Sequence, residues 1–517
     1  MAVRQYIGAR YVPRFTGLYN NTQGYEALDV VDNGMGTSYI AKIPTPAGTP
    51  LSDSTYWFVY GASSGAILDL QNRVGTLEDN NSPVVLNSYN DLFSKDLATG
   101  AIATTLGYYN PNDGGGGTFI VVDTPSENSL LYYPLNNGKY AEIIDDKVVL
   151  PRYGGTSVHE MFNNARPFLV RHNQKVVILP APNPNHPACS SYVENGKNTY
   201  FWTTTAPILI TEDYAYTNFY LYGEISATDS IDCVMKISDP LKPEDLEFVT
   251  DVRISGWHYD GVQKIVNHAL LVEGCARVNF VGTLAAGYAK NSITLGGSGQ
   301  TNPIEITANI VDIGSCTECA LKADIQTGLT STFVFNNMTI QNTLDPSVIG
   351  VYAGGPLVWS NINSLRIIPG AQGCAVGVEC NPDYTFEECT LSINSARIGA
   401  TLPFNIKNGA CYCGDVSTNL PANATFAELT NSGKLIIAYY NGRRNGVTID
   451  CAVTAFCDIL RSETPVTITG RNVFVNGYCY GDVLPSAVNN SISVDSNSGQ
   501  LIICHNGSVY KRYNPVT

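Results

Sequence analysis

The sequence predicts a mainly β chain whose central body winds as a β-solenoid, and three observations carry that prediction. Charged residues make up only 15% of the chain, while 47 glycines and 31 tyrosines mark it as rich in turns and strands. From about Tyr200 to Ile406, short apolar runs alternate with Gly, Asn, Asp and Ser turns in irregular coils of roughly 20–30 residues. The 517 residues are also too many for one compact core, and no helical layer accompanies the strands. A β-sandwich would also be built from short strands. Length without helices favours the solenoid.

Taken in order, residues 1–62 form a small β module. Tyr6–Val12, Val30, Val31, Tyr39–Ala41 and Tyr56-Trp57 recur between turns at Asn33-Gly34, Pro44–Pro46 and Ala47-Gly48. An aromatic stripe in so small a module reads as its core rather than a ligand site. Residues 63–82 form a neck. Ile67, Leu70, Val74 and Leu77 are spaced 3, 4 and 3 apart, the a/d seam of a coiled coil. A helix this short is marginal alone in water, so the seam calls for partners or for a bed on its own chain.

Residues 83–155 form a β-rich lead-in, with strands expected at Thr118–Val122, Leu130–Tyr133 and Lys147–Leu150. Its centre is Gly107–Val122, where Asn-Pro-Asn-Asp runs into four glycines. Pro fixes φ and Gly accepts positive φ, so this is a turn or a close-packed loop. No Lys-Ser/Thr and no helix start follow, so it is not a phosphate cradle. Ser157–Arg171 then predicts an amphipathic helix with Val158, Met161, Phe162, Ala165 and Leu169 on one face, ended or kinked by Pro167. Strand Lys175–Leu179 follows, closed by Pro180-Ala-Pro182. Residues 156–406 make the solenoid. Residues 407–517 form a C-terminal β region, where Lys434–Tyr440, Gly446–Asp450, Val466–Thr469, Val473–Val475 and Gln500–Cys504 read as hairpin strands. The basic turn Asn441-Gly-Arg-Arg-Asn-Gly446 reads as a solvated hairpin tip.

The formal net charge is −15, from 30 Lys and Arg against 45 Asp and Glu. That balance disfavours nucleic acid and anionic membrane as partners. No run approaches the roughly 20 apolar residues of a membrane span, and Met1–Tyr6 lacks the apolar core of a signal peptide, so assembly in a cytosol is expected. None of the fourteen cysteines precedes Cys189, and they scatter through apolar runs, as small buried reduced hydrophobes do. Cys316 and Cys319 have metal-ligand spacing but no matching second pair, so no metal and no cofactor are expected.

The phrase Gly107–Phe119 resembles the GYY-x-P-x-DGGGG-x-F segment of bacteriophage tailspikes, which stands ahead of a right-handed parallel β-helix. The first module is similar to the short aromatic-rich adhesion repeats of phage structural proteins through its YE-x-LDVV, SY-x-AK, PAGTPLSD and YW stretches. The helix-then-strand order at 157–179 resembles the start of a pectate-lyase-like β-helix, whose helix covers the first coil. This resemblance implies a homotrimeric virion fibre, joined along Ile67, Leu70, Val74 and Leu77. It also implies assembly in the bacterial host cytoplasm, docking to another virion protein through residues 1–62, and attachment to a host cell-surface polysaccharide.

A glycan-cleaving enzyme needs two carboxyls facing each other across a sugar. The solenoid region supplies the scattered acids Asp229, Asp232, Asp251, Asp260, Glu273, Asp312, Glu318 and Asp324. Trp257, Tyr259 and Asp260 form the densest grouping of sugar-binding residue types. No nucleophile elbow or paired-acid motif appears, and Tyr153–Thr156 lacks the aspartates that the family carries before its helix. No catalytic residue is therefore assigned. Attachment is the expected function, a polysaccharide depolymerase is the alternative, and a capsid-decorating head fibre is a second one.

Overall fold

The structure, a computed structural model, describes residues 13–34, 37–60, 83–169, 175–214, 217–238, 250–254, 266–300, 303–326, 329–341, 343, 345–368, 373–381, 390–442, 446–452, 454–462, 466–469, 478–479, 491–494, 501–505 and 508–513. The neck and its seam at Ile67, Leu70, Val74 and Leu77 lie outside the described residues, as do Tyr6–Val12 and Val473–Val475. The chain divides into two compact units. One is built on the N-terminal sheet and takes in Leu97–Ala103 and Ile120–Val122. The other holds Val85–Asp96, Thr104–Phe119 and the chain from Asp123 onward.

The N-terminal sheet orders Arg14–Leu18, Asp29–Asp32, Ser38–Ala41 and Trp57–Val59 side by side, the first pair parallel and the others antiparallel. Its core is Tyr25, Val31, Ala41 and Trp57, with Tyr19, Tyr39, Leu51 and Tyr56 packed against them. The Tyr25 and Trp57 rings meet edge to face at 5.3 Å. The aromatic stripe is thus interior, as expected of so small a module. Phe15, Leu18 and Phe58 are left exposed.

In the lead-in region, Val84–Leu86, Ile102–Thr105, Gly117–Val122, Tyr140–Ile143 and Tyr132–Pro134 form a five-stranded sheet in that order. The Gly107 phrase is held from within by Asp113, which is fully buried. Its carboxylate accepts the backbone N–H groups of Tyr108 (2.9 Å), Tyr109 (2.7 Å), Asn110 (3.1 Å) and Gly115 (2.8 Å). Gly114 supplies a positive φ of 89°, and at Gly107, Gly115, Gly116 and Gly117 nothing larger fits. A Cβ on Gly107 would stand 1.7 Å from the Asn110 carbonyl oxygen, and one on Gly115 would stand 2.6 Å from Tyr108 Cβ. The loop is close-packed, as its composition predicts.

Helix Val158–Leu169 begins where Glu160 reaches back to accept the Thr156 N–H at 2.6 Å. It buries Val158, Met161, Phe162, Ala165 and Leu169, the predicted face. Phe162 stacks on Phe219, 5.9 Å between centroids, an inward residue of the early coils. Among the described residues one long parallel sheet has 13 strands, from Val148–Val149 to Tyr478–Cys479, and a second has 11, from Ile208–Ile210 to Val466–Thr469. From Cys233 to Cys479 the described strands alternate between these two sheets, so each of these coils lays one strand in each. A column of inward residues, Phe280, Ala308, Phe335, Ile362, Ile393, Cys413 and Ile437, runs in register up the first sheet. The eleven cysteines whose side chains are described are free thiols, buried except for Cys189, and burial pushes the Cys316 thiol up to about 12.

Strands of the first sheet bend at one place. In 304–314, 332–341, 360–368 and 390–398 the in-out alternation slips, leaving two successive residues facing outward. The first of each pair is Asn309, Asn336, Asn363 or Asn394. The Nδ2 of each of the last three donates to the Oδ1 one coil back, at 2.9, 2.7 and 2.7 Å, with sequence steps of 27, 27 and 31 residues. The ladder stops at Gly414, where a Cβ would meet the Asn394 carbonyl oxygen at 2.2 Å. These side chains satisfy one another where the bend interrupts regular alternation.

The hairpin reading of residues 434–469 is corrected. Lys434–Asn441 pairs in parallel with Ala410–Thr418 and with Phe456–Ser462, while Val447–Cys451 and Val466–Thr469 belong to the second long sheet. The coils therefore continue past the boundary expected at 406. Asn441-Gly442 imitates a hairpin turn, but the chain there passes from one long sheet to the other; residues 443–445 lie outside the described residues. Hairpin pairing does hold for Ser491–Val494, Leu501–His505 and Ser508–Tyr513, a separate three-stranded antiparallel sheet. Sequence reading also missed the hairpin Cys189–Glu194 with Lys197–Thr204, although Asn195 (φ 50°) and Gly196 (φ 76°) form its turn.

His186 gives this fold a pH dependence. It is 2% exposed, and its Nδ1 accepts the Ala188 N–H at 3.1 Å, which places the proton on Nε2. Burial lowers its pKa to about 4, partly opposed by Asp113. The unfolded chain takes up this proton near 6.5 and the folded one only near 4, so the stability is whole above 6.5 and lost as pH falls to 4. The loss is at most about 3 kcal/mol. Urea midpoints should fall across this window and flatten in His186→Gln; equal slopes in both proteins would remove His186 as the cause.

Candidate functional site

Two stretches of the solenoid wall gather chemistry-bearing side chains. On the second long sheet the register sets His268, Asn291 and Cys319 in one row and Leu271, Thr294 and Lys322 in another. His268 Nδ1 lies 2.7 Å from Thr294 Oγ1. Burial lowers the His268 pKa, opposed by Asp232, Glu318 and Glu273 and reinforced by Lys322. The fold thus gathers Asp232, Glu273 and Glu318, far apart in sequence, around one imidazole.

Those carboxylates are already engaged. Lys236 Nζ is 2.5 Å from Glu273, Lys322 Nζ is 3.2 Å from Asp324, Asn291 donates to Glu318 at 3.1 Å, and Asn267 donates to Asp232 at 2.8 Å. The pattern repeats higher up, where Glu379 takes Lys407 at 2.9 Å and Asn405 at 3.1 Å. This is a coil-to-coil charge ladder. Asp312 stands elsewhere, on the first long sheet; burial raises its carboxyl pKa against the opposing Gln341 bond of 3.1 Å. A raised carboxyl is what a general acid needs, and the acids around His268 lie on a different sheet. Trp257, Tyr259 and Asp260 lie outside the described residues, and so does the side chain of Asp251. Asp229 has partners of its own.

The second stretch is on the first long sheet, before the bend. Trp359 is 85% exposed and holds φ at 57°. A bulky residue in the left-handed region is a conformational outlier, strained by about 1–3 kcal/mol. Asn361 lies two residues on and faces outward in the strand, since Ser360 and Ile362 on either side of it point inward. Its Oδ1 is buried without a hydrogen-bond partner. In register with Asn361 on the next two coils stand Ser392 and Tyr412, the latter 40% exposed. At about 4.8 Å between strands, Tyr412 sits about 10 Å from Asn361. This stretch carries the Trp359 and Tyr412 rings with the Asn361 amide and the Ser392 hydroxyl between them, residue types suited to the apolar faces and hydroxyls of sugars. Sequence reading passed over Trp359. The signal was a lone tryptophan three residues after Gly354-Gly355-Pro356, where a coil corner returns the chain to the sheet.

No family model and no curated protein matches the chain. Among solved structures it is similar to the enzymatically active domain of tailspike protein 4 of bacteriophage CBA120, with a TM-score of 0.41, 11% identity, and coverage of 91% of this chain and 65% of that one. It is also similar to full-length tailspike protein 2 from Escherichia coli O157:H7 bacteriophage CAB120, with a TM-score of 0.40, 11% identity, and coverage of 90% and 62%. The chain thus spans less than two thirds of the length of either.

Proposed function

We propose that this chain is a subunit of a bacteriophage tailspike or virion fibre that attaches to a host cell-surface polysaccharide through the Trp359–Tyr412 face. The observation that carries the reading is Trp359 itself, a large ring held out in solvent at a strained backbone position that no packing in the described coils requires. The tailspike resemblance of the Gly107 phrase and the solenoid body support it. Attachment is favoured over cleavage because the gathered carboxylates around His268 are consumed by lysine and asparagine partners. Exposed Phe15, Leu18 and Phe58 suit docking of the N-terminal module onto another virion protein. The trimer rests on the seam at Ile67, Leu70, Val74 and Leu77, and three copies of one weak site would bind with avidity.

The test is gel filtration of the purified protein with isolated host-surface polysaccharide, followed by sizing of the sugar. Intact polymer should co-elute with the protein, and Trp359→Ala should weaken that binding by about thirtyfold, a typical tryptophan hot-spot loss of about 2 kcal/mol. Shortened oligosaccharides would make the protein a depolymerase, and no interaction at all would leave the capsid-fibre role. Light scattering on the same column reads the assembly; a monomer's mass would remove the trimer.

A further inference from the structure

We propose that a groove beside Arg366 and Arg397 is an oxyanion subsite that takes the acidic group of a charged sugar; the sugar, though not the anion, rests on the glycan reading above. Arg366 and Arg397 face each other in register on adjacent coils of the first long sheet, after the bend, in a column that runs Thr339, Arg366, Arg397, Ser417. Adjacent strands are about 4.8 Å apart, so two like charges stand side by side. Both residues are exposed. Among the described residues no carboxylate forms an ion pair with either guanidinium, although acidic residues outnumber basic ones 45 to 30.

They line a groove of about 720 Å³ together with Thr401, Ser417, Thr425 and Glu428. The two arginines give the groove a positive balance on a chain of net charge −15. Among the described residues Glu428 is the one carboxylate of its lining, which disfavours a dense polyanion and suits a single acidic group within a chain of neutral sugars. Guanidinium forks match carboxylate and phosphate oxygens in pairs, and the lining hydroxyls supply neutral partners for the sugar. An oxyanion between the two arginines also relieves their mutual repulsion. Recognition here would select charged over neutral polysaccharide, a distinction that stacking on Trp359 does not make.

Calorimetric titration of the full chain at low salt tests this with four probes: a glucose oligosaccharide carrying a single galacturonate residue, the same oligosaccharide without it, free galacturonate and glucose 1-phosphate. The charged oligosaccharide should bind more tightly than the neutral one, and added salt should weaken only the charged one. Arg366→Gln combined with Arg397→Gln should reduce that affinity by at least about tenfold, the worth of a charge-assisted bond. The same variant should bind the neutral oligosaccharide as before, which also shows it folded. The two monosaccharides separate a carboxylate site from a phosphate site. Equal binding of the charged oligosaccharide by both proteins overturns the subsite and leaves glycan attachment standing. Binding of the small anions alone, lost in the variant, would sustain the subsite and remove the glycan reading.

Discussion

Replacing Asp113 by alanine should destabilise the folded chain by about 3–5 kcal/mol, the cost of deleting the buried charged partner of a hydrogen-bond network. The carboxylate is fully buried and accepts four backbone N–H groups. Alanine leaves all four donors facing a void that Gly114–Gly117 cannot fill, because Gly115 and Gly116 already lie against Tyr108 and the Thr105 and Pro151 carbonyls. Asparagine keeps the shape but turns an N–H₂ toward backbone donors, so its loss should fall between alanine and wild type. Urea denaturation at neutral pH reads both. A loss below about 1 kcal/mol for alanine would mean that the loop repacks without its centre. Glycan binding by whatever protein remains folded should be unchanged, because the phrase serves as architecture and not as a sugar site.

What was legible in the sequence was what local chemistry dictates. The helix face at 158–169, the strands at 175–179, 304–310 and 332–335, and the buried fate of the cysteines follow from periodicity and hydrophobicity in short windows. What was illegible depends on which coil lies above which. Asn309, Asn336, Asn363 and Asn394 look like loop residues one at a time, and only coils stacked in register turn them into a ladder. Arg366 and Arg397 are likewise 31 residues apart in sequence and adjacent in the sheet. His268 and its three acids are a third such case. Steps between coils vary from one to the next, so no fixed period betrays these neighbours. Trp359 failed for a different reason: its meaning lies in exposure and backbone angle, neither of which a residue type reveals.

The boundary expected at residue 406 bears on how the molecule unfolds. Phe404 lies just before it, yet its ring meets Phe426 at 5.3 Å, and Phe426 meets Tyr440 at 4.5 Å. All three are fully buried, and the Tyr440 hydroxyl bonds Thr418 at 2.9 Å. An interior stack therefore runs straight through the supposed junction, across coils whose strands pair in parallel on both sheets. Phe426→Ala should cost about 3–5 kcal/mol, since a void that size inside stacked coils cannot collapse without breaking strand register. In a solenoid each coil is stabilised by its neighbours, so the loss should spread to the coils bearing Phe404 and Tyr440 and appear as faster amide exchange in both. A chain stopped after Ile406 would expose the edges of Thr390–Ile398 and Leu402–Ile406 and strip Phe404 of its cover, and it should aggregate. If that shortened chain kept the same assembly state as the whole, without aggregating, and were as stable, residues 407 onward would be a separate domain after all, and the stack across the junction would contribute nothing.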